Sequence, residues 1–350
     1  MTEKTVSTPA FRKPALYFKL PSNGKFYPEN SLKLPPNNEL PVYPTTGLDE
    51  ITIKTVDALF NGSAIVEVIR SCVPDIPDPW EIPVVDLDPL LVAIKLASFG
   101  NGMDIDSTCP ECNESSKYGL NLTNILNNLK LGDYDSELEV DGIYVKFRPL
   151  KYKDYNRFNI QEFEFQKIIN SIDMIKDEKL KEKKNIDAIM ASLEMHIERI
   201  TASIEYIKTS DNLVNNADFI REFLENCNVD YYRKIRERYT TLKESTQTKP
   251  LVIKCTHCSH EYEQLLMLNY CEYFRVRLLY MQPEEIQEWL TSMEKDALEI
   301  KNSALKMSWY MRGGISFNEI LHLSDRERET INEIIKENLE TTKKTQLPFF

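Results

Sequence analysis

Two short cysteine pairs carry the strongest chemical signal in this chain: Cys109-Pro-Glu-Cys112 and Cys255-Thr-His-Cys258. Each C-x-x-C supplies two thiolates, and four thiolates from two such pairs make one tetrahedral zinc site. A site of that kind is coordinatively closed, so it holds backbone together and does not activate water. The spacing is unusual. Paired knuckles normally lie roughly 15–20 residues apart, whereas 142 residues separate Cys112 from Cys255. One zinc on all four cysteines requires an insertion whose two ends return to the same place. Three alternatives stay open: pairs that hold no ion, a ligand position taken by His257 or His260, and zinc shared between chains.

The other residues able to do chemistry form no catalytic constellation. There is no phosphate-binding G-x-x-x-x-G-K-[ST], no nucleophile elbow G-x-S-x-G and no H-E-x-x-H. Four histidines in 350 residues leave little for acid–base work. Asp86-Leu-Asp88 and Asp104-Ile-Asp106 sit at helix starts or turns, where aspartate serves as a cap. His196 falls on the flank of a helical pattern. Cys72, Cys227 and Cys271 lie in apolar helical patterns and read as core residues. Tyr231-Tyr-Arg-Lys-Ile-Arg-Glu-Arg238 interleaves aromatics and cations, but Tyr231 and Ile235 share one helix face and the charges point away from it. The expectation is a non-enzymatic protein.

The elements that must position the knuckles follow from pattern. Thirteen of the 18 prolines fall in residues 1–90, so this part is rich in loops and short elements. Leu16–Leu20 reads as a strand, Ser22-Asn-Gly-Lys25 as a turn, and a helix from Asp49 ends at Asn61-Gly62. Asp86 is expected to cap a further helix that Gly100 closes. Strands leave the first knuckle and enter the second at Leu251–Lys254. Asp141-Gly142 marks a hairpin between Leu138–Val140 and Ile143–Phe147. Between the knuckles, Leu193, Ile197, Ile200, Ile204 and Ile207 recur at spacings of four and three, as in a heptad seam. A second series runs from Ala217 to Leu242. Two such series predict an antiparallel helical hairpin with arms of up to roughly eight turns. Helices follow over about 270–280 and 283–310, then from the capping box Ser324-Asp-Arg-Glu327. Residues 1–13 read as frayed, and the end Gln346-Leu-Pro-Phe-Phe350 as an exposed apolar tail.

The fold class expected is α+β, mostly α. It comprises a split zinc-ribbon-like β unit, a long inserted antiparallel helical hairpin resembling a coiled coil, and a C-terminal helical region. The segments are 1–150 (Pro-rich, first knuckle), 151–249 (hairpin insertion) and 250–350 (second knuckle and helices). Net charge is −12, and residues 1–149 hold 13 Lys+Arg against 21 Asp+Glu. Such a chain is a poor electrostatic partner for nucleic acid, whose binding rests on phosphate neutralisation. No stretch approaches the roughly 20 apolar residues of a membrane span. The start, Met1-Thr2-Glu3-Lys4, lacks an apolar signal core, and the cysteine usage suits a reducing cytoplasm.

A string of motifs adds to this. It comprises Phe18-Lys-Leu-Pro-Ser-Asn-Gly-Lys-Phe-Tyr-Pro28, Lys54-Thr-Val-Asp-Ala-Leu-Phe-Asn-Gly-Ser-Ala-Ile65, Ile69-Arg-Ser-Cys-Val73, the run Asp86 to Leu96, and Cys109-Pro-Glu-Cys112. Near the end come Arg312-Gly-Gly-Ile-Ser316 and Leu323-Ser-Asp-Arg-Glu-Arg328. Together these cover about half the chain and resemble the baseplate hub and hub-assembly proteins of T4-like contractile-tail bacteriophages. The resemblance implies a non-enzymatic tail protein whose partners are hub or tape-measure proteins, with self-association as a further option. It implies a location in the cytoplasm of the infected host during assembly and, for members that stay in the particle, in the virion tail. A reading from a different class is a zinc-ribbon module associated with nucleic acid, which would need a basic face.

Overall fold

The computed structural model describes residues 12–129, 131–172, 175–210, 212–246 and 250–346. The expectations for residues 1–11 and 347–350 lie outside them.

The N-terminal part builds the largest core. Strands β1 (Leu16–Phe18) and β2 (Leu40–Val42) pair antiparallel. Helices α1 (Gly47–Ile53), α2 (Val56–Asn61) and α3 (Ser63–Cys72) follow with minimal breaks, and α4 (Val84–Phe99) crosses them. Leu40, Ile65, Ile69 and Leu90 are fully buried there. The first two caps differ from expectation. Thr46, not Asp49, caps α1, with Asp49 as the acidic half of a capping box. Helix α4 starts two residues before Asp86, after Pro83. That frees the Asp86 carboxylate to accept from the Ser22 amide at 2.9 Å and from the Ser22 hydroxyl. The Ser-Asn-Gly turn is thus fastened to the core helix by a buried carboxylate. Burial outweighs these bonds and pushes Asp86 up to about 6.

After α4 come hairpin β3 (Gly102–Thr108) and β4 (Ser115–Asn121), then α5 (Leu122–Asn128). Strands β5 (Leu138–Val140) and β6 (Ile143–Phe147) form the expected hairpin, with Asp141 and Gly142 both at positive φ.

The middle of the chain corrects the hairpin expectation. Helices α6 (Tyr152–Ile172) and α7 (Glu178–Ser203) pack together, joined through Arg157–Glu198 and through Arg199 to the Phe158 carbonyl at 2.8 Å. The heptad seam runs on in sequence, but the helix stops at Ser203. Ile204–Lys208 is β7, paired antiparallel with β6, and Leu213–Val214 is β8. The sheet order is β5-β6-β7-β8. The register shifts between Lys146 and Phe147, where Ile204 and Tyr206 face consecutive partners. This bulge places Ile204 and Ile207, three residues apart, on the same buried face. A spacing that mimics a helix is therefore satisfied by an irregular strand. The second series is likewise two helices, α8 (Ala217–Asn226) and α9 (Val229–Thr246), with Cys227 half-buried at the break. Val145, Ile200, Ile220 and Ile235 are among the residues of this second core.

The chain closes with hairpin β9 (Leu251–Lys254) and β10 (Glu261–Gln264), then α10 (Tyr270–Tyr280), α11 (Pro283–Tyr310), α12 (Phe317–Leu321) and α13 (Asp325–Thr345). Ser324 and Glu327 form the expected capping box. This end packs on α1: the Gly47 amide donates to the Leu323 carbonyl at 3.2 Å, Lys54 meets Asp296 at 2.5 Å, and Arg328 meets Glu50.

Between α4, α6 and α10 lie two carboxylates. Tyr155 donates to Glu272 at 3.2 Å, and Asp88 is pushed up to about 7 by burial and, secondarily, by Glu272. The unfolded chain releases this proton near about 3.9, so the folded form binds more protons from about pH 4 to about pH 7. Stability from this group falls as pH rises through that window. Asp88→Asn, a neutral mimic of the protonated acid, is expected to melt higher than the parent at pH 8, by about 1–2 kcal/mol. The advantage should shrink as pH falls below about 7 and vanish only at about pH 4. Thermal denaturation of both proteins at the two pH values checks this, and a pH-independent difference would refute it.

Candidate metal centre

Each knuckle joins the two strands of a hairpin, Cys109–Cys112 between β3 and β4, Cys255–Cys258 between β9 and β10. Their backbones are equivalent. Cys109 donates its amide to the Glu114 carbonyl at 3.0 Å and accepts from the Asn113 amide at 2.9 Å. Cys255 donates to the His260 carbonyl at 2.8 Å and accepts from the Ser259 amide at 3.1 Å. Asn113 and Ser259, each directly after its second cysteine, take positive φ of 57° and 62°. This left-handed residue turns the chain so that both sulfurs of a knuckle point the same way.

The fold brings the two knuckles together. All four Sγ atoms lie within 4.8 Å of one another. Cys109 Sγ is 3.6 Å from Cys258 Sγ, and Cys112 Sγ is 3.6 Å from Cys255 Sγ. A disulfide would need about 2.05 Å. Four sulfurs around a tetrahedral zinc at about 2.3 Å stand about 3.8 Å apart, so the donor set fits zinc in number, softness and spacing. The His257 amide donates to Cys255 Sγ at 3.4 Å. His257 and His260 are exposed on the knuckle surface, and His260 stacks on Tyr262 with ring centroids 6.3 Å apart.

With only protons to share, the thiols are unequal. The Cys258 amide draws the Cys255 thiol down to about 6, helped by the His257 amide. Cys112, although the Glu114 amide favours its thiolate, is pushed up to about 12 by desolvation and by the three neighbouring sulfurs. A dication would remove that inequality by neutralising several thiolates together.

Side chains clamp the hairpins around the cluster. Ser107 on β3 bonds the Tyr262 hydroxyl at 2.9 Å and donates to Gln264 Oε1 at 2.7 Å. Ser116 on β4 meets Thr256 at 2.8 Å. These partners are 140 to 157 residues apart, and no local pattern announces them. Val92, Leu122 and Leu268 seat the unit on α4.

The remaining candidates disperse. Asp104 and Asp106 lie on exposed positions of β3, Asp86 is buried against Ser22, and His196 is exposed on α7. Cys72 and Cys271 are fully buried. Arg233, Lys234 and Arg236 face outward on α9, while Arg238 reaches the Asp133 carbonyl at 2.6 Å.

Fold and site together define a structural class: a mostly helical α+β frame whose distant ends are drawn together at a closed cluster of four thiols. A family profile described as T4 bacteriophage base plate protein matches residues 33–275, and the chain belongs to that family. The match takes in both knuckles and the middle segment, which no motif resemblance covered. No curated protein and no solved structure matches the chain.

Proposed function

We propose that this base plate protein serves the central hub of the tail, as a hub subunit or as a hub-assembly factor, through contacts with hub or tape-measure proteins. The observation that carries the reading is family membership over 33–275, joined to the hub-type motifs around Ser22, Gly62 and Asp86. In the same reading Cys109, Cys112, Cys255 and Cys258 hold one structural zinc that staples a split zinc ribbon. The ion would neutralise the four thiolates and fix both hairpins, leaving no position for substrate. Function then resides on the surfaces that the staple orients.

Affinity purification of the tagged chain from infected cells tests this. Hub or tape-measure proteins should be recovered in near-stoichiometric amounts, and recovery without any tail protein would overturn the reading. Mass spectrometry of purified virions separates the two variants, since a subunit stays in the particle and a pure assembly factor does not. The competing nucleic-acid module would instead show retention on heparin with a steep salt dependence.

A further inference from the structure

Helix α7 carries two apolar faces in its distal half, and only one is packed among the described residues. Ala188, 6% exposed, lies on the side packed against α6. On the opposite side Ile186, Ile189, Met190 and Leu193 are 51–61% exposed. Ile186, Met190 and Leu193 continue the spacing of four and three through Ile197 to Ile200. At that proximal end the stripe is roofed: Ile200 is fully buried with Ile220 and Leu224 of α8. The same stripe is thus core at one end and solvent-facing at the other. Isolated exposed leucines are ordinary, but a contiguous row in helical register marks an interaction surface.

The charges beside the row indicate what covers it. Residues 179–184 contain Lys179, Lys181, Lys183 and Lys184 against Glu182 alone. Residues 185–198 contain Asp187, Glu194 and Glu198 and no lysine or arginine. A parallel copy would set lysines against lysines. An antiparallel copy, turned about a twofold near Ile189 and Met190, sets Ile186 opposite Leu193. It also brings Lys183, which borders the row, alongside the turn carrying Glu194, twice over. A surface complementary to itself under a twofold is what an isologous dimer requires.

We propose that the distal half of α7 is a self-association site, covered by α7 of a second copy packed antiparallel. The inference stands on the row and its flanking charges and does not depend on the hub reading or on zinc. Two heptads make a short seam, so the dimer should be weak, with a dissociation constant on the order of 10 μM.

Sedimentation equilibrium of the full-length protein over a wide concentration range tests it. The parent is expected to show a monomer–dimer equilibrium. The double variant Ile186→Glu/Leu193→Glu should remain monomeric with an unchanged melting temperature, because both side chains are more than half exposed. Lys183→Glu and Glu194→Lys should each weaken association by roughly threefold to tenfold. An equimolar mixture of those two charge variants should recover the affinity of the parent, since both ends of the mixed pair are then attractive. A parent monomeric at every concentration overturns the proposal. So does a double-glutamate variant that still dimerises, or a mixture no tighter than its components.

Discussion

Cys255→Ser is expected to lose the proposed zinc and with it the order of both hairpins. Serine oxygen is a poorer donor than thiolate, and a three-thiolate remnant leaves the ion open to water. Binding free energy in zinc-stapled units reaches about 10–16 kcal/mol and is drawn directly into folding. Here part of that fold is also held by Ser107, Gln264 and Thr256. The loss should therefore be smaller, on the order of 3–5 kcal/mol, and concentrated in residues 102–121 and 251–264. Metal analysis should fall from one zinc per chain to none, and hydrogen exchange should rise in both hairpins. Cys112→Ser, in the other knuckle, must reproduce the result, since one shared ion cannot survive loss of either pair. If the two substitutions differ, or if either leaves metal content and melting unchanged, the shared site is wrong. Cys227→Ala, half-buried at the α8–α9 break, is the control that should leave zinc in place.

Gly62→Ala should be nearly as damaging, although Gly62 does not belong to the cysteine cluster. Gly62 ends α2 and precedes α3 at φ 89°, a left-handed conformation that costs an L-residue about 1–2 kcal/mol. A Cβ there would stand 2.4 Å from Asn156 Oδ1 and 2.5 Å from its Cγ and Nδ2. Asn156 cannot yield cheaply. It is buried, and its Nδ2 donates to the Asn61 carbonyl at 2.8 Å. Arg275 donates to the Phe60 carbonyl at 2.7 Å and Tyr152 to the Gly62 carbonyl at 3.1 Å. Three side chains from α6 and α10 thus satisfy the carbonyls that α2 leaves open at its C-terminus. Strain and displaced packing together should remove about 3–5 kcal/mol, a fall in melting temperature of roughly 6–15 °C. Asn156→Ala in the same chain should recover part of the loss, because the clash disappears while the backbone strain stays. A Gly62→Ala protein melting within about 1 °C of the parent would show that the junction relaxes freely.

These two sites show how legibility varied along the chain. The four cysteines were legible as one candidate cluster because two C-x-x-C pairs present four thiols that a single site can gather. The hairpin at Asp141-Gly142, the helix end at Gly62 and the capping box at Ser324 were readable because their chemistry is local. The middle of the chain misled for an equally physical reason. Ile200, Ile204 and Ile207 keep helical spacing, but β6 offered unpaired backbone, and a bulge allowed a strand to bury the same isoleucines. Local pattern cannot reveal that a partner strand is waiting some 60 residues upstream. Asp86 misled more mildly: a cap was expected, but Pro83 let the helix start earlier and left the carboxylate for Ser22.

Sequence alone singled out Cys109, Cys112, Cys255 and Cys258 as two thiol pairs able to share one site, and determined the mostly helical α+β class and a resemblance to tail baseplate proteins. Donor type and short-range spacing are properties of the chain itself. Tertiary structure decided that the two knuckles meet, with sulfurs 3.6 Å apart across some 143 to 149 residues. It also decided that the connection between them comprises the short α5, the α6–α7 pair, a completed four-stranded sheet, and α8 and α9. Those outcomes depend on which distant surfaces bury each other, and that is settled only when the whole chain packs.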